Sequence, residues 1–503
     1  MKDPFFDFIK NDLDRVDGRL KVTGGAKYSA EYQIPGLTYG VLVGSTITRG
    51  KILALDTKAA EWAPGVIEVI SYLNTIKVPG YDEGSNPAKG RTGGHGLRVF
   101  NDNEIYFNGH PIALVIADTY ERAVYAASLV KAKYEKEEFQ TDFNLNKKNA
   151  VTPKATWLAD YVRGDADGYK KAPVIIEAEY VLPLEVHNPM ELHSITVKWD
   201  DIDHVTVYDK TQGVKSTQRS IMQAFKLPES NVQVNAQFVG GGFGSGLRTW
   251  PHEIAALIGA KKTGKPLKLV LSREQMFMLV GFRPYTVQKI GLGATKEGKL
   301  LGIMHEAISE TSTYEEFTEG TVSMSRFLYA CPNVSTRYKI IPLDISTPTW
   351  MRGPGEATGA YALESAIDEM AYALKMDPVA FRIANYAETD QENKRPFSSK
   401  FLKEAYHLGA EKIGWNQRIN EPGKLIENGM LAGYGMGTGT FNASRGTAKA
   451  SARLSSDGTL VLKSAVSDSG PGTATAMTII ASETFGWPTG KIRFELGDSS
   501  LPP

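Results

Sequence analysis

The run Val239-Gly240-Gly241-Gly242-Phe243-Gly244-Ser245-Gly246 sets five glycines around one aromatic ring. Before it, Asn231 to Phe238 alternates through Val232 and Val234, which predicts a strand. After it, Pro251 to Lys262 predicts a helix with Ile254, Ala255, Leu257 and Ile258 on one face. Strand, glycine loop and helix together let backbone approach a ligand closely. The loop's free N–H groups, and those at the helix start, suit an anion such as phosphate. Phe243 is the odd member, because a loop built only to turn does not need it. It is either a core ring beneath a buried loop or a side chain aimed at a planar ligand.

Two other turns have the same setting. Trp350-Met351-Arg352-Gly353-Pro354-Gly355-Glu356 follows an extended segment, Tyr338 to Ile345, and precedes a predicted helix, Thr358 to Leu374. Arg352 in such a turn anchors a carboxylate or phosphate, sits against an aromatic ligand, or closes a structural salt bridge. Asp468-Ser469-Gly470-Pro471-Gly472-Thr473 leads into a helix at Thr475 to Phe485, either as a ligand loop or as a plain helix entry. Gln212, in Thr211-Gln212-Gly213, lies between a strand and a helix predicted for Thr217 to Phe225. An amide there can donate and accept at once, which is useful beside an oxo or carbonyl group.

The 503 residues allow two to four domains of ordinary soluble composition. Lys+Arg and Asp+Glu are both 57, which gives no support for a nucleic-acid partner. The one cysteine, Cys331, excludes an internal disulfide and any all-cysteine metal or iron–sulfur site within the chain. The eight histidines show no HxxxH or HExxH spacing. His187 and His193, with Glu191 between them, favour polar loop contacts over a metal site, because a proline separates the histidines. Apolar runs are too short for a membrane span, and no apolar segment follows Met1-Lys2-Asp3-Pro4. The expectation is a cytoplasmic protein, or one exported to the periplasm with a partner.

Residues 1–135 read as one α+β unit, with His95 solvated in the loop 79–97 and His110 structural. Residues 136–172 are charged and aperiodic, which predicts a linker wrapped over the surface. Glu364, Asp368 and Glu369 read as a solvated helix face. From Gly433 a last run of strands begins, and the chain stops just after a strand, as if inside a domain.

In order along the whole chain, these residues resemble the molybdenum-cofactor subunit of the xanthine dehydrogenase and aldehyde oxidase family. Arg15-Val16-Asp17-Gly18 with Lys21-Val22-Thr23-Gly24 resembles its opening. Gly109-His110-Pro111-Ile112-Ala113 resembles its G-Q-P-V-A segment, and His187 with Pro189-Met190-Glu191 its H-x-P-M-E. The glycine loop resembles GGGFGGK, and Arg352 to Glu356 resembles R-G-P-G-E.

The resemblance implies an α+β chain: an amino-terminal α/β hammerhead domain (1–135), a first molybdopterin-binding domain (136–415) and an incomplete second one (416–503). It implies that Gln212, Gly241, Gly242, Phe243, Gly244, Arg352, Gly470 and Gly472 contact a molybdenum–pterin cofactor, as molybdopterin or its cytosine dinucleotide, with no side chain ligating the metal. Pro471 stands where the family often has glutamine, which removes one amide. Leu247 stands where the purine-oxidising branch has glutamate, which directs expectation to aldehydes or other heteroaromatic compounds, hydroxylated with water as the oxygen source. The family's catalytic base, a glutamate in a Gly-Glu motif, is expected beyond Pro503, so no catalytic residue is assigned here and the chain alone is expected to be inactive. Partners carrying [2Fe–2S] and FAD are implied. Two rival readings remain: a nicotinamide-dependent dehydrogenase, with Arg273-Glu274 at the ribose, and a cofactor-free scaffold subunit. The first fails on spacing, since no G-x-G-x-x-G fits the loop.

Overall fold

The computed structural model describes residues 14–81, 96–419 and 421–503. Met1 to Pro4 and His95 lie outside them. Pro111–Ala117 is the most buried strand and explains the first layer. Its residues alternate between two cores: Leu114 and Ile116 face one, Ala113 and Val115 the other. A strand apolar on both faces belongs in the middle of a covered sheet. It pairs antiparallel with Thr38–Gly44 on one side and Val66–Ser71 on the other. Helix Tyr120–Leu129, capped by Thr119, covers the Ala113 face.

The sheet does not stop at the first unit. Thr38–Gly44 also pairs in parallel with Leu267–Val270, which carries the sheet on through Ser194–Trp199, Val205–Asp209 and Val232–Asn235. Seven strands thus join residues on both sides of position 135. Helix Pro251–Thr263 packs on this sheet and is buried on every side from Pro251 to Ala260, not on one face. The strand before the glycine loop ends at Asn235, three residues short of Phe238.

A second sheet orders Tyr161–Arg163, Asn333–Leu343, Leu300–Ser312, Thr286–Ala294 and Val174–Leu182. Helix Glu356–Ala373 lies on it through Leu363, Ala366, Ile367 and Met370 against Ile290 and Leu292. Two expectations fail here. Residues 136–172 are more than a linker: they contribute the edge strand at Tyr161 and lay Gly168–Lys171, with buried Tyr169, across the sheet. Their anchors are isolated aromatic and apolar residues among exposed charges, a spacing without a period. Glu364 is not solvated. It is 7% exposed, and it pairs with Arg382 (0% exposed) at 2.9 Å.

The last unit pairs Ser451–Leu454, Leu460–Lys463 and Ile492–Glu495, with helix Thr473–Phe485 against them. The run from Gly433 stays irregular until Ser451. No described helix is long and apolar enough to cross a membrane.

Candidate functional site

The three predicted turns meet at one cavity of about 800 Å³. The glycine loop brings Phe243, Gly244 and Leu247, the second turn brings Trp350, Arg352, Gly353 and Pro354, and the third brings Ser469, Gly470 and Pro471. Gln212 and Phe441 complete the lining. Of the predicted site residues, Gly241, Gly242 and Gly472 stand outside it.

Gln212 fixes the glycine loop. Its Oε1 accepts from the N–H of Gly244 at 2.9 Å and of Gly246 at 3.1 Å. Those two donors identify the oxygen end of the amide. The Nε2 end has no acceptor among the described residues. A Cβ on Gly242 would strike this amide, and one on Gly244 would strike the Trp350 carbonyl. Gly244 also has φ +115°, which only glycine adopts without strain. The N–H groups of Gly241, Gly242 and Phe243 have no acceptor among the described residues. The helix start does not share this role, because Trp250 to Glu253 are buried and the Trp250 N–H donates to the Glu253 carboxyl at 3.2 Å.

Phe243 is not a core ring. It is 41% exposed, with φ +54°, a left-handed conformation that a bulky residue rarely holds. The Arg352 guanidinium lies over its ring at 5.6 Å, and the Arg352 N–H donates to the Phe243 carbonyl at 3.0 Å. Arg352 has no carboxylate partner among the described residues, so the salt-bridge alternative is not realised. Sequence reasoning missed the residue that holds this turn. Buried Arg283 donates to the Met351 carbonyl at 2.7 Å, the Arg352 carbonyl at 3.0 Å, the Thr358 hydroxyl at 2.9 Å and the Glu185 carboxylate at 2.8 Å. Trp350, quoted in the second turn, was given no role, and Phe441 was missed, since nothing in its local pattern marks it.

The third turn corrects one expectation. The N–H groups of Gly470 and Gly472 do not face a ligand. Both donate to Asp468 Oδ1, at 3.0 and 3.1 Å, and Arg15 donates to the Gly470 carbonyl at 2.7 Å. This is a closed turn, presenting Ser469, Gly470 and Pro471 to the cavity by shape.

The histidine segment is the loop's frame. His187 Nε2 lies 2.6 Å from the Trp350 carbonyl, and Glu191 accepts the Gly240 N–H at 2.7 Å. Burial holds His187 down to about 4, so it is neutral. Arg273 donates to Asn188 Oδ1 and to the carbonyls of Pro189 and Met190. It serves this frame, and the strand after the loop's helix, Leu267–Val270, pairs with Ser194–Trp199 and Thr38–Gly44 and not with the loop's own strand, Val232–Asn235, so the loop lacks the adjacent parallel strand that a dinucleotide reading needs. His110 is structural as expected, buried and accepting from the Tyr106 N–H at 3.3 Å.

The cavity lining therefore offers the Gln212 amide and a guanidinium without an acidic partner among the described residues, and the unused N–H groups of Gly241, Gly242 and Phe243 lie on the same loop. Among the described residues, no lining side chain is a carboxylate. Such a donor set fits an anionic, oxygen-rich group beside a planar one, as an oxo- and phosphate-bearing pterin is.

Comparison with known proteins agrees with this chemistry. Residues 23–138 match the aldehyde oxidase and xanthine dehydrogenase a/b hammerhead domain. Residues 146–386 and 408–503 match molybdopterin cofactor-binding domains. The aldehyde oxidoreductase molybdenum-binding subunit PaoC of Escherichia coli (strain K12) is 35% identical over 97% of this chain and 65% of its own length. The putative xanthine dehydrogenase molybdenum-binding subunit XdhA of the same organism is 26% identical over 95% of this chain and 66% of its own. The chain thus spans about two thirds of the length of these relatives. The fold matches quinoline 2-oxidoreductase from Pseudomonas putida 86, with TM-score 0.80, 17% identity, and coverage of 98% of this chain and 67% of that one. It also matches the aldehyde oxidoreductase from Desulfovibrio gigas, with TM-score 0.78, 20% identity, and coverage of 97% and 56%. With its hammerhead domain followed by molybdopterin cofactor-binding domains, the chain belongs to the aldehyde oxidase and xanthine dehydrogenase family.

Proposed function

We propose that this chain binds a molybdenum–pterin cofactor in the 800 Å³ cavity and forms one wall of a molybdenum hydroxylase that oxidises aldehydes or heteroaromatic compounds. The observation that carries the reading is the set of unused donors on and beside the cavity wall, with no acidic side chain among the described lining residues. The cofactor supplies the two-electron redox chemistry when bound. The chain's residues supply position and field. The N–H groups of Gly241 to Phe243 and the Gln212 Nε2, which have no acceptor among the described residues, would hold the cofactor's oxygens. The Arg352 guanidinium holds positive charge where negative charge develops on the substrate, and the Phe243 ring beneath it orients a planar substrate. Leu247, Trp350 and Phe441 exclude water. Leu247 cannot hydrogen-bond a purine nitrogen, and a 35% identical relative is named an aldehyde oxidoreductase, which together favour aldehydes.

Among the described residues, no lining side chain is a carboxylate or histidine that could take a proton as a general base. We assign that step to a glutamate outside these 503 residues. Electrons leave through partner subunits holding [2Fe–2S] and FAD, since Cys331 is a lone buried thiol whose Sγ lies against the Asn333 carbonyl.

The test is purification together with the partner subunits, followed by molybdenum and pterin analysis and assays on an aromatic aldehyde, an N-heterocycle and xanthine. Bound cofactor with aldehyde turnover exceeding xanthine turnover is expected. Protein with neither molybdenum nor pterin would establish a scaffold instead.

A further inference from the structure

The third turn is a thin partition. Ser469, Gly470 and Pro471 line the cavity of about 800 Å³. Asp468, in the same turn, lines a second cavity of about 540 Å³ together with Val16, Leu20 and Phe238. Packing does not hold Gly470, since a Cβ built on it would meet no atom within 4 Å. Asp468 Oδ1 takes the N–H groups of Gly470 and Gly472. Those two bonds fix the shape of the turn but not its place between the cavities.

That place is set from the other end of the chain. Arg15 Nη1 donates to the Gly470 carbonyl at 2.7 Å, and Nη2 lies 3.7 Å from Asp468 Oδ2. The Val16 N–H donates to the Thr475 hydroxyl at 3.1 Å, in the first turn of helix Thr473–Phe485. Among the described residues, no other hydrogen bond reaches residues 469–472 from outside the last unit. The guanidinium is itself aimed. Asp17 accepts from Nε at 3.0 Å and from Nη2 at 3.1 Å, a two-point grip that leaves Nη1 for Gly470. Lys21 pairs with Asp17 at 2.5 Å, and its amine lies 5.8 Å from the centre of the Phe238 ring. Phe238 leads directly into the glycine loop. The opening segment thus spans from the third turn to the entrance of the glycine loop, two walls of one cavity. The Arg15 side chain is 40% exposed, so it reaches these groups without being part of a core.

We infer that Arg15 is a positioning residue, aimed by Asp17, that holds the third turn forward against the cofactor and keeps it from shifting back into the smaller cavity, an inference that rests on reading the larger cavity as the cofactor's site.

The experiment uses the full-length protein with its partners. Arg15→Met keeps the stem and removes the donors and the charge, and Asp17→Asn keeps Arg15 but slackens its aim. Arg15→Met is expected to melt within about 2 °C of the parent, because an exposed side chain buries little. Hydrogen exchange at the Gly470 and Gly472 N–H groups of its cofactor-free form is expected to quicken by about tenfold, the effect of one charge-assisted hydrogen bond. Its pterin content per folded protein is expected to fall by about the same factor. Asp17→Asn is expected to show both changes to a smaller degree. A lower melting temperature with parent-level pterin would make Arg15 a plain structural residue and overturn the inference, and so would faster exchange with parent-level pterin. Should Arg15→Met fail to fold, parent-level pterin in Asp17→Asn would overturn it equally. Parent protein lacking pterin would instead refute the cofactor site itself, and exchange at Gly470 and Gly472 would still decide whether Arg15 holds the turn.

Discussion

Arg352 and Phe243 form a pair whose geometry makes little sense as core packing. The ring is 41% exposed and held at φ +54°, and the guanidinium above it has no acidic partner among the described residues. Left-handed backbone at a bulky residue costs on the order of 1–3 kcal/mol and persists where the surroundings impose it. Here the Gln212 amide, the Arg283 clamp and the Trp350 carbonyl impose it from three sides. Removing the exposed guanidinium leaves no buried group unpaired. Arg352→Ala should therefore change stability by less than about 0.5 kcal/mol while lowering turnover by about 10²–10³. Thermal melts and steady-state rates on the complete enzyme check both halves, and normal turnover with bound molybdenum would return Arg352 to the surface. Phe243→Ala should shift the preference between aromatic and aliphatic aldehydes by about tenfold, with little effect on folding. An unchanged substrate profile would remove Phe243 from the substrate side.

At the level of elements, strand Leu300–Ser312 carries a buried acid that local pattern does not reveal. Glu310 is 6% exposed, accepts the Tyr285 N–H at 2.9 Å, and is pushed up to about 7 by burial. Because its folded value is raised above the ordinary 4.5, it favours the fold fully only below that value and loses this contribution as pH rises through about 7. Glu310→Gln keeps the acceptor and removes the charge. Its melting temperature should gain on the parent as pH climbs from about 5 to about 8, by up to about 3 kcal/mol of stability. A difference independent of pH would contradict the shift. The strands and long helices were legible in the sequence because period-2 and period-3.6 patterns reflect one buried face. Helix Pro251–Thr263 was legible as a helix but not as one buried on all sides, since periodicity cannot register a second apolar wall. The turn at Asp468 was legible as a ligand loop or a helix entry but not as a closed turn. Which way an N–H group points depends on the Asp468 oxygen that captures it, and composition does not encode that.

At the level of the molecule, two features tie the units together, and neither was legible. One is the seven-stranded sheet running through position 135. Its parallel pairing of Thr38–Gly44 with Leu267–Val270 spans more than two hundred residues of sequence and leaves no local mark. The other is the hub around Glu364, read in the sequence as solvated. Glu364 accepts from Arg382 at 2.9 Å, from the Tyr329 hydroxyl at 2.5 Å and from the Thr438 N–H at 2.8 Å, and so binds the last unit to helix Glu356–Ala373. Arg382→Met strands a buried carboxylate and should cost about 3–5 kcal/mol, seen by denaturation and by earlier proteolysis near Thr438. A loss below about 1 kcal/mol would show that the hub is not holding the units. The motifs that pointed to the site were short, and the structure brings Gln212, Phe243, Gly244, Arg352 and Gly470 from them to one cavity. The most direct measurement is the molybdenum and pterin content of the full-length protein beside its Gly244→Val variant, in which the new side chain meets the Trp350 carbonyl. Equal, near-stoichiometric molybdenum and pterin in the parent, with both lost from a still-folded variant, is the predicted result; cofactor absent from the parent, or undiminished in the variant, would contradict the account.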